Sequence, residues 1–146
     1  MQITQSQTEH TPTPLQVNGV LSTQVLEVWD EVEPLVQKAL EYSGGKYHSD
    51  DILNGIANQD MQLWVAYDDR IKTIMVTEIL NYPRKKVCGI LIVAGERIDD
   101  LLWVDEITTK WAQEQGCDAI EFYGRAGWER KLKNYYKVHT VMRKDL

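Results

Sequence analysis

Val87-Cys88-Gly89-Ile90-Leu91-Ile92-Val93-Ala94-Gly95 is an unbroken apolar and small-residue run, followed by a polar turn and a helical pattern from Asp99 to Glu114. Such a run reads as a buried strand feeding a helix. A strand that is apolar on both faces needs covering layers on both sides, and its end beside a helix N-terminus is where α/β proteins commonly hold anions or cofactors. Any chemistry is therefore to be sought at this junction.

Working outward, the helix places Leu101, Val104, Ile107 or Thr108, and Trp111 on one side and stops at Gly116. Asp118 to Tyr123 then reads as a strand. A strand, helix, strand order predicts parallel pairing through a crossover. Beyond Gly124 the pattern predicts a short helix from Gly127 to Asn134, with Trp128 and Leu132 four apart, and a last strand from Tyr136 to Met142. Upstream, Leu63 to Tyr67 and Ile71 to Leu80 flank the turn Asp68-Asp69-Arg70 and predict a hairpin, joined to the apolar run through Tyr82-Pro83-Arg84-Lys85-Lys86.

The first part of the chain is more broken. Residues 1–14 are polar and contain Thr11-Pro12-Thr13-Pro14, a tail or edge segment, and Leu15 to Leu21 reads as a first strand. From Thr23 to Tyr42, Leu26, Trp29, Val32, Val36 and Leu40 fall near helical spacing, and Ser43-Gly44-Gly45 supplies a stop. Pro34 predicts a kink or two short helices meeting near Glu33, because proline lacks an N–H and disfavours helical geometry before it. Ser49 reads as the N-cap of a short helix carrying Ile52 and Ile56, with Asp50 and Asp51 in its first turn.

With 146 residues and 43% hydrophobic composition, the chain suffices for one ordinary core. The formal charge of −6 argues against a generic nucleic-acid binder, although Arg125 to Lys144 holds seven basic residues against the single acid Glu129. That basic stretch reads either as a phosphate-holding patch or as a solvated surface. Cys88 and Cys117 lack metal-ligand spacing, His10, His48 and His139 are dispersed, and no metal site is expected. No apolar run approaches the roughly 18 residues that span a bilayer, and no N-terminal signal pattern is present, so a soluble cytoplasmic protein is expected. Nucleophile elbows, Walker loops and dinucleotide fingerprints are missing.

The order helix, short helix, three-strand meander, helix, strand, short helix, strand resembles the GCN5-related N-acetyltransferase fold over essentially the whole chain. Cys117 to Trp128 and the ending Val141-Met142-Arg143-Lys144-Asp145-Leu146 resemble phage and prophage proteins of that fold. The resemblance implies an α+β domain over 15–146: a mixed, mostly antiparallel sheet, a central parallel strand pair, and helices on both faces. It also implies acetyl-coenzyme A in a cleft where the two parallel strands splay, held through the backbone of Ile90, Leu91, Ile92 and Val93. A turn, here Gly95-Glu96-Arg97-Ile98-Asp99-Asp100, would meet the pyrophosphate. Arg97 and Ile98 are then the phosphate-side candidates, with Arg125 at the next strand-to-helix junction. The turn keeps an arginine but lacks the family's two spaced glycines, which allow close phosphate approach, and Asp99 and Asp100 add repelling charge.

The remaining candidates are acids and bases. Glu78 shares a strand face with Ile74 and Val76, and Glu121 lies on the strand Asp118 to Tyr123, so either is a candidate general base for an amine. On the family's pattern Lys131 stands where a thiolate-protonating tyrosine is expected, and Tyr135 replaces a glycine, which makes both candidates for stabilising the leaving sulfur. The expected reaction is acetyl transfer to an amine. The alternative is a non-catalytic phage structural or host-interaction protein of the same fold, its partner drawn from host or virion. The acceptor and oligomeric state are left open by the sequence.

Overall fold

The computed structural model describes residues 15–96, 102–124 and 126–146, the side chains of 102–104 and 126 excepted. Five strands lie side by side in chain order: β1 (Gln16–Val20), β2 (Met61–Tyr67), β3 (Ile71–Asn81), β4 (Lys86–Gly95) and β5 (Ala119–Phe122). Neighbours run antiparallel except β4 and β5, which are parallel. The expected hairpin and crossover are both present, and β5 forms one edge of the described sheet.

Helices α1 (Val25–Leu40) and α2 (Ser49–Ala57) cover one face. Val25, Trp29, Val32 and Val36 are buried at spacings of four, three and four, and pack with Ile52 and Ile56 of α2 over Leu63, Val65, Ile74, Val76, Ile92 and Ala94. Val25 takes the inward position expected for Leu26, which is exposed. Removing each such side chain from water is worth about 1.5–3 kcal/mol. On the other face, α3 (Leu102–Glu114) buries Thr108 and Ala112, and Thr108 Oγ1 lies 3.5 Å from Met75 Sδ. Trp111 meets Trp64 edge-on, with ring centroids 5.5 Å apart. Leu101, the first position of the expected helical stripe, lies outside the described residues, and Val104 among the excepted side chains.

Three local expectations are corrected. Of the two outcomes expected at Pro34, the two short helices do not form: α1 runs through it, since Pro34 and Asp30, whose carbonyl loses its partner, both face solvent. Ser49 is not the cap. His48 occupies that position, accepting from Asp50 N at 3.2 Å while its own N–H donates to Asp51 at 2.8 Å. Ser49 instead turns inward and donates to Glu33, tying α2 to α1. Finally, Tyr136 to Met142 forms no strand within the single chain, and the segment that should be a helix from Gly127 to Asn134 is a 3-10 turn, Ala126–Arg130, followed by a further turn. The 3-10 turn contains Gly127 and is only five residues long; Leu132 N donates to Trp128 O at 3.1 Å, so the four-residue spacing is met by a single turn and not by a helix.

One irregularity positions the site. Along the β3–β4 ladder Val76 pairs with Ile92 but Thr77 pairs with Ile90, leaving Leu91 as an extra residue. A bulge of this kind bends its strand and breaks the two-residue alternation. Ile90 accordingly packs on the α3 face with Met75 and Val93, whereas Ile92 packs on the α1/α2 face.

The far end of β4 is fixed by Gly95, at φ +128°, where a Cβ would overlap the Lys72 carbonyl oxygen. Backbone, unlike a side-chain tip, has no easy way to retreat. Gly95→Ala is therefore expected to destabilise the fold by about 3 kcal/mol, read as a lower urea midpoint. An unchanged midpoint would show that this strand end is loosely held.

Candidate functional site

β4 and β5 begin in register and then part. Lys86 N donates to Asp118 Oδ2 at 2.9 Å, Asp118 N donates to Lys86 O at 2.7 Å, and Lys86 Nζ reaches Gln115 O at 2.6 Å. From this clamp the strands pair from Val87 with Ala119 to Ile90 with Phe122, and Tyr123 N donates to Ile90 O at 3.1 Å. There the parallel ladder ends. β5 ends at Phe122, while β4 continues to Gly95 with β3 as its sole strand neighbour among the described residues. The peptide groups of Leu91, Ile92 and Val93 thus run past the fork unmatched by β5.

On the α1/α2 face at the fork, Glu78, Gly89 and Glu121 form a row across three strands, since Glu78 pairs with Gly89 and Gly89 with Glu121. Gly89 leaves the floor between the two carboxyls bare, and the Tyr123 ring lies over it, 2.8 Å from where a Cβ would stand. Tyr123 Oη donates to Glu121 Oε1 at 2.9 Å. Burial, this bond and the neighbouring Tyr82 all raise the Tyr123 pKa. Burial also pushes the Glu78 carboxyl above the ordinary carboxylate range, and no ion pair among the described residues offsets it. Tyr47, in the loop before α2, is raised by its own burial and then by the negative charge of Glu78.

On the α3 face of the same fork, Phe122 and Trp128 meet at a tilt of 45°, with ring centroids 4.9 Å apart, and pack with Ile90 and Val93. Lys131 Nζ sits 5.5 Å above the Trp128 ring. The Tyr135 hydroxyl is buried without a hydrogen-bond partner among the described residues. Its pKa is pushed up to about 12, first by burial, then by Asp105 and Cys88. A buried hydroxyl left unbonded carries the full desolvation penalty, which makes it a donor waiting for an acceptor.

No family model matches the sequence, and no curated protein matches it. Solved structures do. The chain is similar to an aminoglycoside acetyltransferase from an uncultured soil metagenomic sample, solved with sisomicin, at TM-score 0.62 and 11% identity over 90% of this chain and 97% of that one. It is also similar to a predicted acetyltransferase of Clostridium acetobutylicum solved with acetyl-CoA, at TM-score 0.63 and 12% identity over 90% and 95% of the two chains. A ribosomal-protein-alanine N-acetyltransferase of Brucella melitensis biovar Abortus 2308 matches at TM-score 0.60 and 8% identity over 89% and 99%. The fold is GCN5-related acetyltransferase-like. None of these likenesses speaks for phage origin.

Within this acetyltransferase-like fold the sequence candidates separate into three groups. Glu78 and Glu121 come together on one face of the fork, and Ile90, Leu91, Ile92 and Val93 form the β4 edge that leaves it. Tyr135 and Lys131 stand on the other face, Tyr135 half-buried with its hydroxyl inward and Lys131 exposed on Trp128. Arg97, Ile98 and Arg125 lie outside the described residues, as does the side chain of Trp103. Gly89, Tyr47, Tyr82 and Tyr123 were not singled out as site residues. Gly89 carried a readable signal, because a glycine inside an apolar strand marks a close approach. The tyrosines carried none, since all three lie in loops or just beyond a strand end.

The Glu78 shift fixes a sign. A carboxyl whose pKa is higher in the folded chain favours folding below its unfolded value, near 4.5, and loses that contribution as pH rises through the folded value. Glu78→Gln is therefore expected to be more stable than the parent at neutral pH, the advantage vanishing below about pH 4. Urea titrations at the two pH values read it; a gain that persists in acid would rule out the ionisation as its source.

Proposed function

We propose that this chain transfers an acetyl group from acetyl-CoA to an amine. The carrying observation is the fork itself: β4 and β5 part at Ile90 with a half-buried carboxyl on one face and, on the other, a buried hydroxyl that has no hydrogen-bond partner among the described residues. Acetyl-CoA would supply the acetyl group as an activated thioester. The β4 edge suits it, because Leu91 to Val93 offer peptide donors and acceptors that no strand takes up among the described residues. Arg97, Ile98 and Arg125 are the proposed phosphate-side residues, an arginine guanidinium being matched to phosphate geometry.

The protein groups divide the proton work. Glu78, with its raised pKa, is the proposed base that takes a proton from an incoming ammonium, and a base nearer to neutrality does this better than an ordinary carboxylate. Glu121, fixed by Tyr123, is the second acid at that opening and attracts the cationic acceptor. Tyr135 keeps its proton near neutral pH and is the proposed donor to a departing sulfur. Lys131 adds positive charge on the same side. The aromatic pair Phe122 and Trp128 lines the α3 side of the fork with partly buried apolar surface.

Calorimetric titration with acetyl-CoA and with desulfo-CoA tests the reading directly. Saturable binding in the micromolar range is expected, with Glu78→Gln lowering kcat at neutral pH by about 100-fold and Tyr135→Phe by about tenfold, both leaving acetyl-CoA affinity near that of the parent. Absence of heat up to millimolar ligand would overturn it. The lack of two spaced glycines in the turn, together with Asp99 and Asp100, favours, in that event, the second reading: a binding protein of the same fold whose fork is no longer a cofactor site.

A further inference from the structure

The alternating pattern from Tyr136 to Met142 is strand-like, yet it finds no partner within one copy of the chain. Residues 136–146 adopt neither helix nor strand. Their apolar side chains stand in water: Tyr136 is 86% exposed, Val138 65%, Val141 72% and Met142 89%. The segment is drawn out between two anchors. Lys137 Nζ meets Glu129 at 3.1 Å, and Arg143 Nη1 donates to Gly44 O at 2.6 Å in the loop after α1. No ladder hydrogen bond joins it to its own β5.

β5 has the complementary defect. Its outer side has no neighbour in the described sheet, leaving a row of backbone donors and acceptors open. Natural edge strands are usually guarded by lysine, proline or a bulge; Ala119-Ile120-Glu121-Phe122 has none of these. Ile120 and Phe122, both on the α3 face, are only half-buried, and Glu121 on the opposite face has no cation partner among the described residues.

We propose that residues 136–142 of one copy add to the open β5 edge of a second copy of this chain, with the exchange reciprocated about a twofold axis. Alternation fits the two sides of that edge. Tyr136, Val138, Thr140 and Met142 share one side of an extended segment and would cover Ile120 and Phe122, while Lys137, His139, Val141 and Arg143 share the other and would face Glu121, Lys137 and Arg143 giving up Glu129 and Gly44. Charge complementarity thus selects the same orientation as apolar burial. A reciprocal exchange closes both edges at once, so assembly stops at a dimer. It also brings the partner copy's basic residues beside Glu121 at the fork.

Sedimentation equilibrium of the full chain tests this, with amide hydrogen exchange as the second readout. A species of twice 16.9 kDa is expected at concentrations of about 100 μM, with slowed exchange at 137–141 that appears only as the dimer forms. Val138→Pro, which removes a ladder N–H at a position outside the core, is expected to weaken the dimer by about tenfold or more while leaving the thermal midpoint of the monomer unchanged. Val138→Asp should do the same by placing a charge on the apolar side. A monomer at all concentrations, a dimer indifferent to both substitutions, or slow exchange at 137–141 in the monomer would each overturn the proposal, the last by showing that the segment pairs with its own β5.

Discussion

The extra residue at Leu91 is the constraint from which the rest of this structure follows. Without it, Ile90 and Ile92 would lie on one face, and β4 would continue as a regular neighbour of β5. With it, the strand bends, the two isoleucines serve opposite cores, and the ladder to β5 ends at Ile90. The bulge costs one regular pairing position in the sheet. Its return is a break in an otherwise closed surface, with backbone polar groups lining one wall.

Around that break the two faces are chemically unlike. One carries acids and tyrosines over a bare glycine floor, and the other carries aromatic rings, a buried hydroxyl and a lysine held on a tryptophan face. On the proposed reading, a proton is lost on one side and gained on the other. The same burial that raises the Glu78 pKa keeps the Tyr135 proton in place, because in both cases low-dielectric surroundings disfavour the charged form.

Much of the fold was legible because its signals are local. The apolar run, the hairpin turn at Asp68 to Arg70 and the glycine stop after α1 each announce an element from within a few residues. Glu78 was legible as well, since Ile74 and Val76 fixed its face. What escaped reading depends on partners distant in sequence. Nothing in Leu91 distinguishes it from its apolar neighbours; the bulge is visible only against β3. The N-cap moved from Ser49 to His48 because Glu33, sixteen residues earlier, accepts the serine hydroxyl. The last strand failed for the same kind of reason: alternation supplies one side of a ladder, and the other side must be present for a strand to exist.

A final consequence concerns β5. It joins the sheet through four residue pairs, against nine between β3 and β4, and its register rests on the Lys86 and Asp118 clamp. Native chains breathe first where few pairs must be broken. The wall of the fork is therefore also the sheet's most easily detached strip, so a molecule too bulky for the resting opening has a route inward that leaves the β2–β3–β4 ladder untouched.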